Sequence, residues 1–143
     1  MNVRRAISAL HLVLGLLIVI VGIVHFVMMS HLVHMITRLA GQATTDIIPI
    51  FYVNHIGSGV FLLVIGGLVI GAAGGLRQGR SWARNAGLIY GAGLGVLGAV
   101  LWMTVPPLFL TAAPFRFALI SLMLVGILAG APLLIFRKDF NEN

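Results

Sequence analysis

The sequence predicts an all-α integral membrane protein: a four-helix bundle of antiparallel transmembrane spans, with a short amphipathic interfacial helix after the first span. Three observations carry this. Four apolar runs, at about 7–29, 50–73, 83–105 and 115–136, fill most of the 143 residues, and each is near the roughly 20 residues a helix needs to cross about 30 Å of hydrocarbon. Charged residues make up 8% of the chain, where a soluble protein carries about a quarter. The mean hydropathy of +1.12 places the chain in the membrane class before any single residue is considered. Residues 1–143 are read as one transmembrane domain with no separate soluble part.

The first span follows Arg4 and Arg5. It is too long for a signal-peptide core, and Met28, Met29 and Ser30 offer no small-residue cleavage site, so it reads as an uncleaved anchor. Beyond it, His31, His34, Thr37, Arg38 and Gln42 recur at helical spacing among Leu32, Val33, Met35, Ile36 and Leu39. That pattern predicts an amphipathic continuation over 30–40 lying at the outer membrane surface. Residues 41–46 then turn back into the second span. The third span should stop at Pro106 and Pro107, because proline donates no backbone hydrogen bond and restricts the residue before it. Pro114 suits the first turn of the fourth helix, and Pro132 should bend that helix near its inner end. The tail after Phe136 reads as merely solvated.

Orientation follows from the basic residues. Arg4, Arg5, Arg77, Arg80, Arg84, Arg137 and Lys138 fall on one side of four alternating spans, and only Arg38 and Arg116 on the other. The positive-inside rule then puts both termini in the cytoplasm, as expected for a bacterial-type plasma membrane. Because the basic residues gather at helix ends and form no continuous patch, the net charge of +6 reports topology and no nucleic-acid partner. Cysteine is absent, which removes thiolate metal sites and cysteine nucleophiles. No span contains Asp or Glu, so a carrier built on an embedded carboxylate is disfavoured. No phosphate loop, HExxH helix or serine triad is present either. Independent catalysis is not expected.

Glycine placement is informative because lipid supplies no hydrophobic drive between helices, and close backbone approach must replace it. Gly87, Gly91 and Gly95 recur every four residues with Ala99, Gly67, Gly71 and Gly75 repeat the spacing, and Gly126 with Gly130 does so in the fourth span. The stripe Gly87, Gly91 and Gly95 is the expected surface for partner transmembrane subunits or a homo-oligomer, with membrane lipids around the rest. A weak internal similarity aligns Arg4, Leu12, Gly15 and Gly22 with Arg80, Leu88, Gly91 and Gly98, which would make the chain two parallel helical hairpins.

Histidine carries whatever chemistry there is. His11, Gly15 and Gly22 in the first span match His55, Gly59 and Gly66 in the second: His, three residues, Gly, six residues, Gly. The first helix runs outward and the second inward, so His25 and His55 fall at one depth near the outer boundary. His11, near the inner one, reads as interfacial. Neutral imidazoles on facing helices are the ligands of a b-type haem, and Gly22 and Gly59 would let a porphyrin lie against backbone. Arg38 and Arg116 would pair with its propionates. The same pocket, with Tyr52 and Asn54, could instead hydrogen-bond a quinone. His31 and His34, neighbours on a helix face, are candidate metal ligands with Asp46 as a third. Two roles result: a non-catalytic accessory or structural subunit of a larger membrane complex, respiratory or redox, and as alternative an electron-transfer protein using His25 and His55 for haem b or quinone.

Overall fold

The computed structural model describes residues 2–40 and 47–140, with no strand among them. Helix α1 runs over Val3–Ala40, α2 over Ile47–Arg77, α3 over Ser81–Thr104, the single turn α4 over Pro107–Leu110, and α5 over Ala113–Ile135, followed by a 3-10 turn at Arg137–Phe140. Four stretches are long and apolar enough to cross a membrane: Val3–Met29, Tyr52–Arg77, Ser81–Thr104 and Phe115–Ile135. They lie within a few residues of the predicted spans. The chain is a multi-pass helical membrane protein by length and composition.

Helix α1 is 38 residues long, about 57 Å at 1.5 Å per residue, well beyond the roughly 30 Å of a hydrocarbon core. Residues 30–40 therefore extend the first span as helix, with no proline or glycine between Ile23 and Ala40 at which to bend. The predicted turn over 41–46, Asp46 included, lies outside the described residues.

The other boundaries follow local chemistry. Gly79, at φ 74, ends α2. Arg80 N–H bonds the Gly75 carbonyl and Gly79 N–H that of Leu76, the paired bonds of a helix stop that needs a left-handed residue. Helix α3 stops before the two prolines as expected: Val105 is extended at φ −71, ψ 134, and its N–H closes the last turn on Leu101. Pro107 opens α4, and α5 carries proline in its first turn. Helix α5 passes through Pro132 and ends three residues later.

By contacts the chain forms two compact units, Met1–Leu14 with Val69–Asn143, and Gly15–Leu68.

The first unit has a core of Ile7, Ala72, Leu76, Ala83, Leu133 and Phe140. Phe140 is wholly buried, and Arg4 Nε donates to the carbonyl of Asp139. The Arg4 guanidinium also lies against Gly79. The first turn of α1, the α2–α3 turn and the 3-10 turn thus meet at one end of this unit. The expectation of a merely solvated tail is corrected here: a large aromatic side chain removed from water and lipid anchors it. Inside the same unit, α3 packs on α5. A Cβ on Gly91 would lie 2.9 Å from Gly130 N and 3.1 Å from Gly126 O, and one on Gly98 would lie 3.2 Å from Leu119 O.

In the second unit the rest of α1 packs on the first part of α2. A Cβ on Gly22 would lie 3.1 Å from Gly59 O, and one on Gly66 would lie 3.0 Å from Gly15 O. Contact positions climb α1 as they descend α2. The shared spacing of His11, Gly15, Gly22 and His55, Gly59, Gly66 thus sets each glycine of one helix against one of the other.

The two hairpins repeat in register. A shift of 76 positions carries Ile7, His11, Gly15, Ile18 and Gly22 onto Ala83, Gly87, Gly91, Leu94 and Gly98, and all ten are buried. A shift of 60 carries Gly59, Gly66, Val69 and Ala73 onto Leu119, Gly126, Ala129 and Leu133, again all buried. The contact pairs follow the same two shifts: Gly15 with Gly66 becomes Gly91 with Gly126, and Gly22 with Gly59 becomes Gly98 with Leu119.

Candidate functional site

One turn above the Gly22–Gly59 contact, α1 and α2 are held so close that side chains at their next positions must touch. Those side chains are His25 and His55. Their ring centroids are 5.6 Å apart and the planes are inclined by 36°, with both residues half-buried. His25 Nδ1 lies 2.9 Å from the carbonyl of Val21, one turn back on its own helix. A carbonyl only accepts, so Nδ1 carries the proton and Nε2 keeps a lone pair for a ligand or donor outside the helix.

Gly22 and Gly59 face each other as expected, but across protein. Besides the backbone contact, a Cβ on Gly59 would lie 3.0 Å from the Phe26 ring. In this arrangement the two glycines close the helix pair, and a porphyrin plane between His25 and His55 would require α1 and α2 to part. The other residues expected around the pair are peripheral: Tyr52 is 46% exposed, and Asn54 and Arg38 are exposed. Arg116, in the first unit, is exposed as well. His31 and His34 are exposed on the extension of α1. Among the described residues, no group of three or more His, Cys, Asp or Glu is placed to hold a metal.

A second histidine lies inside the protein. His11 is completely buried, correcting its reading as interfacial. Its ring packs edge-on to Tyr90, centroids 5.8 Å apart at 69°, and Nδ1 bonds the Ile7 carbonyl at 2.8 Å. Nε2 lies 3.4 Å from where a Gly87 Cβ would be. Neither Nε2 nor the Tyr90 hydroxyl has a hydrogen-bond partner of ordinary geometry among the described residues. The signal for this pair was present in the repeat: the position equivalent to His11 is Gly87, so an imidazole on one hairpin meets a missing side chain on the other.

The glycine stripes also sort themselves. Gly87 and Gly91 are buried inside the chain, against Leu133 and against Gly126 with Gly130, and Gly95 backbone lies against Gly126. Gly75 turns inward on Ala83 and Trp82. Gly67, Gly71 and Gly74 are exposed along α2, where an added Cβ would meet nothing within 4 Å.

No protein family matches the sequence, and neither a curated protein nor a solved structure resembles it closely enough to match. What these observations define is a multi-pass helical membrane protein whose described residues form two similar helical hairpins, with the half-buried His25 and His55 in contact in the first.

Proposed function

We propose that this chain is a non-catalytic accessory or structural subunit of a larger membrane complex, respiratory or redox, or of a homo-oligomer. Its spans lie antiparallel across a bacterial-type plasma membrane, with both termini in the cytoplasm and residues 30–40 near the outer surface. The observation that carries the reading is the open glycine face of α2. Gly67, Gly71 and Gly74 share one side of that helix, and a Cβ added at any of them would meet nothing within 4 Å, whereas one at Gly87 or Gly91 would strike the rest of the chain. Small residues open toward lipid cost helix propensity without return unless another helix approaches. The meeting of Arg4, Gly79 and Asp139 supports placing both ends of the chain on one side.

Native mass spectrometry from lipid-retaining nanodiscs tests this. The chain should appear in a complex, and Gly71→Leu should release it as a folded monomer. A monomer in both cases would remove the reading.

The contact of His25 with His55 favours a second role, electron transfer through a quinone or a b-type haem. A quinone carbonyl needs one hydrogen-bond donor, which His55 would supply because the His25 proton is held on Val21, and it needs less space than a porphyrin, so it suits the closed helix pair better. A reduced absorption spectrum with a Soret band and sharp α band, lost in His55→Ala, would select haem. Extraction and chromatography of co-purifying lipids would reveal a quinone.

A further inference from the structure

We propose that His25 and His55, with Met29, form a binding site for a soft monovalent metal cation, Cu(I). With metal–nitrogen bonds of about 2 Å and ring centres about 1.2 Å behind the nitrogen, two imidazoles directly opposite each other on one metal have centroids about 6.4 Å apart. The observed 5.6 Å is shorter than that linear limit, so one ion bridging both rings would be bent at the metal, as three-coordinate ligation allows. The Val21 carbonyl fixes the His25 proton on Nδ1, the outer hydrogen bond that orients a metal-binding imidazole and leaves Nε2 basic.

The third ligand and the charge select the metal. Met29 is one turn beyond His25 on the same helix face and is buried, at 3% exposure. A thioether one turn from His25, added to the two imidazoles, would make a soft donor set that favours Cu(I) over magnesium or calcium, which take oxygen ligands. All three ligands are neutral. Asp46, the acidic residue of Gly15–Leu68, lies outside the described residues, and the three proposed ligands themselves supply no negative charge. Because Born cost rises with the square of charge, a monovalent ion costs about a quarter of what a divalent one does near the hydrocarbon boundary. The site does not depend on the packing role, which uses the outward glycines of α2.

The test is an anaerobic titration of the full chain in detergent with Cu(I), in competition with a chromogenic Cu(I) chelator. One equivalent should bind per chain. His25→Ala and His55→Ala should each weaken binding by about tenfold or more, and Met29→Leu by a smaller factor. X-ray absorption of the loaded protein should show nitrogen and one sulfur in the first shell, with the sulfur lost in Met29→Leu. If an alanine variant loses its helical circular dichroism, the decision passes to His25→Gln, His55→Gln and Met29→Leu, which keep the bulk of the side chain. Absence of binding, zinc bound equally well with Met29→Leu silent, or binding lost only in His31→Ala with His34→Ala would each overturn the proposal. So would haem already present in the purified protein.

Discussion

The first hairpin, α1 with α2, and the second, α3 with α5, share a set of close contacts and diverge in what surrounds them. Gly15 against Gly66 and Gly22 against Gly59 in the first correspond to Gly91 against Gly126 and Gly98 against Leu119 in the second. One turn further out, the same two shifts place Leu101 and Phe115 where the first hairpin has His25 and His55. The link between paired helices is also 16 residues longer in the first hairpin, the difference between the shifts of 76 and 60. The extra chain accommodates the α1 extension with His31, His34 and Arg38. The histidines His25, His55, His31 and His34, with Arg38, and the added length therefore belong to one hairpin. Function is commonly grafted onto a scaffold at its connections, where insertions leave packing intact.

If the hairpins differ in how tightly they close, the largest effect should come from Gly126→Ala. The added methyl would lie 2.5 Å from Gly95 N and 2.6 Å from Gly91 O, and backbone cannot swing aside, so a loss of about 3 kcal/mol is expected in reversible unfolding from mixed micelles. Its counterpart Gly66→Ala meets Val19 Cγ2 at 2.6 Å but backbone only at 3.0 Å, and about 1 kcal/mol is expected because the valine can rotate. Equal losses would break the comparison.

Register can be tested outright because the chain contains no cysteine. His25→Cys with His55→Cys should form a disulfide on mild oxidation, and Leu101→Cys with Phe115→Cys should do the same if the equivalence reaches that level. A second pair that stays reduced would confine the repeat to the glycine contacts.

Two smaller effects concern positions where the hairpins differ in polarity. Ser8 Oγ donates to the Ala73 carbonyl at 2.8 Å, while its counterpart Arg84 bonds Asn85. Ser8→Ala should cost about 0.6 kcal/mol, the usual worth of such a bond between membrane helices. Tyr90, equivalent to Leu14, holds a buried hydroxyl with no partner among the described residues. Tyr90→Phe should change stability by less than about 0.5 kcal/mol or raise it slightly, since no bond is lost.

Much of the fold was legible because membrane spans are set by length and hydropathy, and the stop before Pro106 by backbone chemistry; the left-handed Gly79 that ends α2 was not foreseen. The meeting of His25 and His55 followed from depth: two helices running opposite ways bring equal heights together. What the sequence concealed was the choice of neighbour. The Gly87, Gly91 and Gly95 stripe announces a close approach but not whether the approaching helix belongs to the same chain. His11 looked interfacial because its partner is an absence, the missing side chain of Gly87. The repeat was faint for the same reason: burial and size are kept across the hairpins, as with Ile18 and Leu94, while identity is not.

Phe140 has one further consequence. The core it completes begins at Ile7, so about 133 residues must be synthesised between the first and last pieces of that cluster. Entry of the spans into lipid and closure of this core are therefore separate events in time, and long sequence separation makes the second slow. Until residue 140 emerges from the ribosome, Leu76 and Leu133 remain uncovered at that end. A chain cut between Ile135 and Phe140 would keep all four candidate spans and lack the side chain that completes this core.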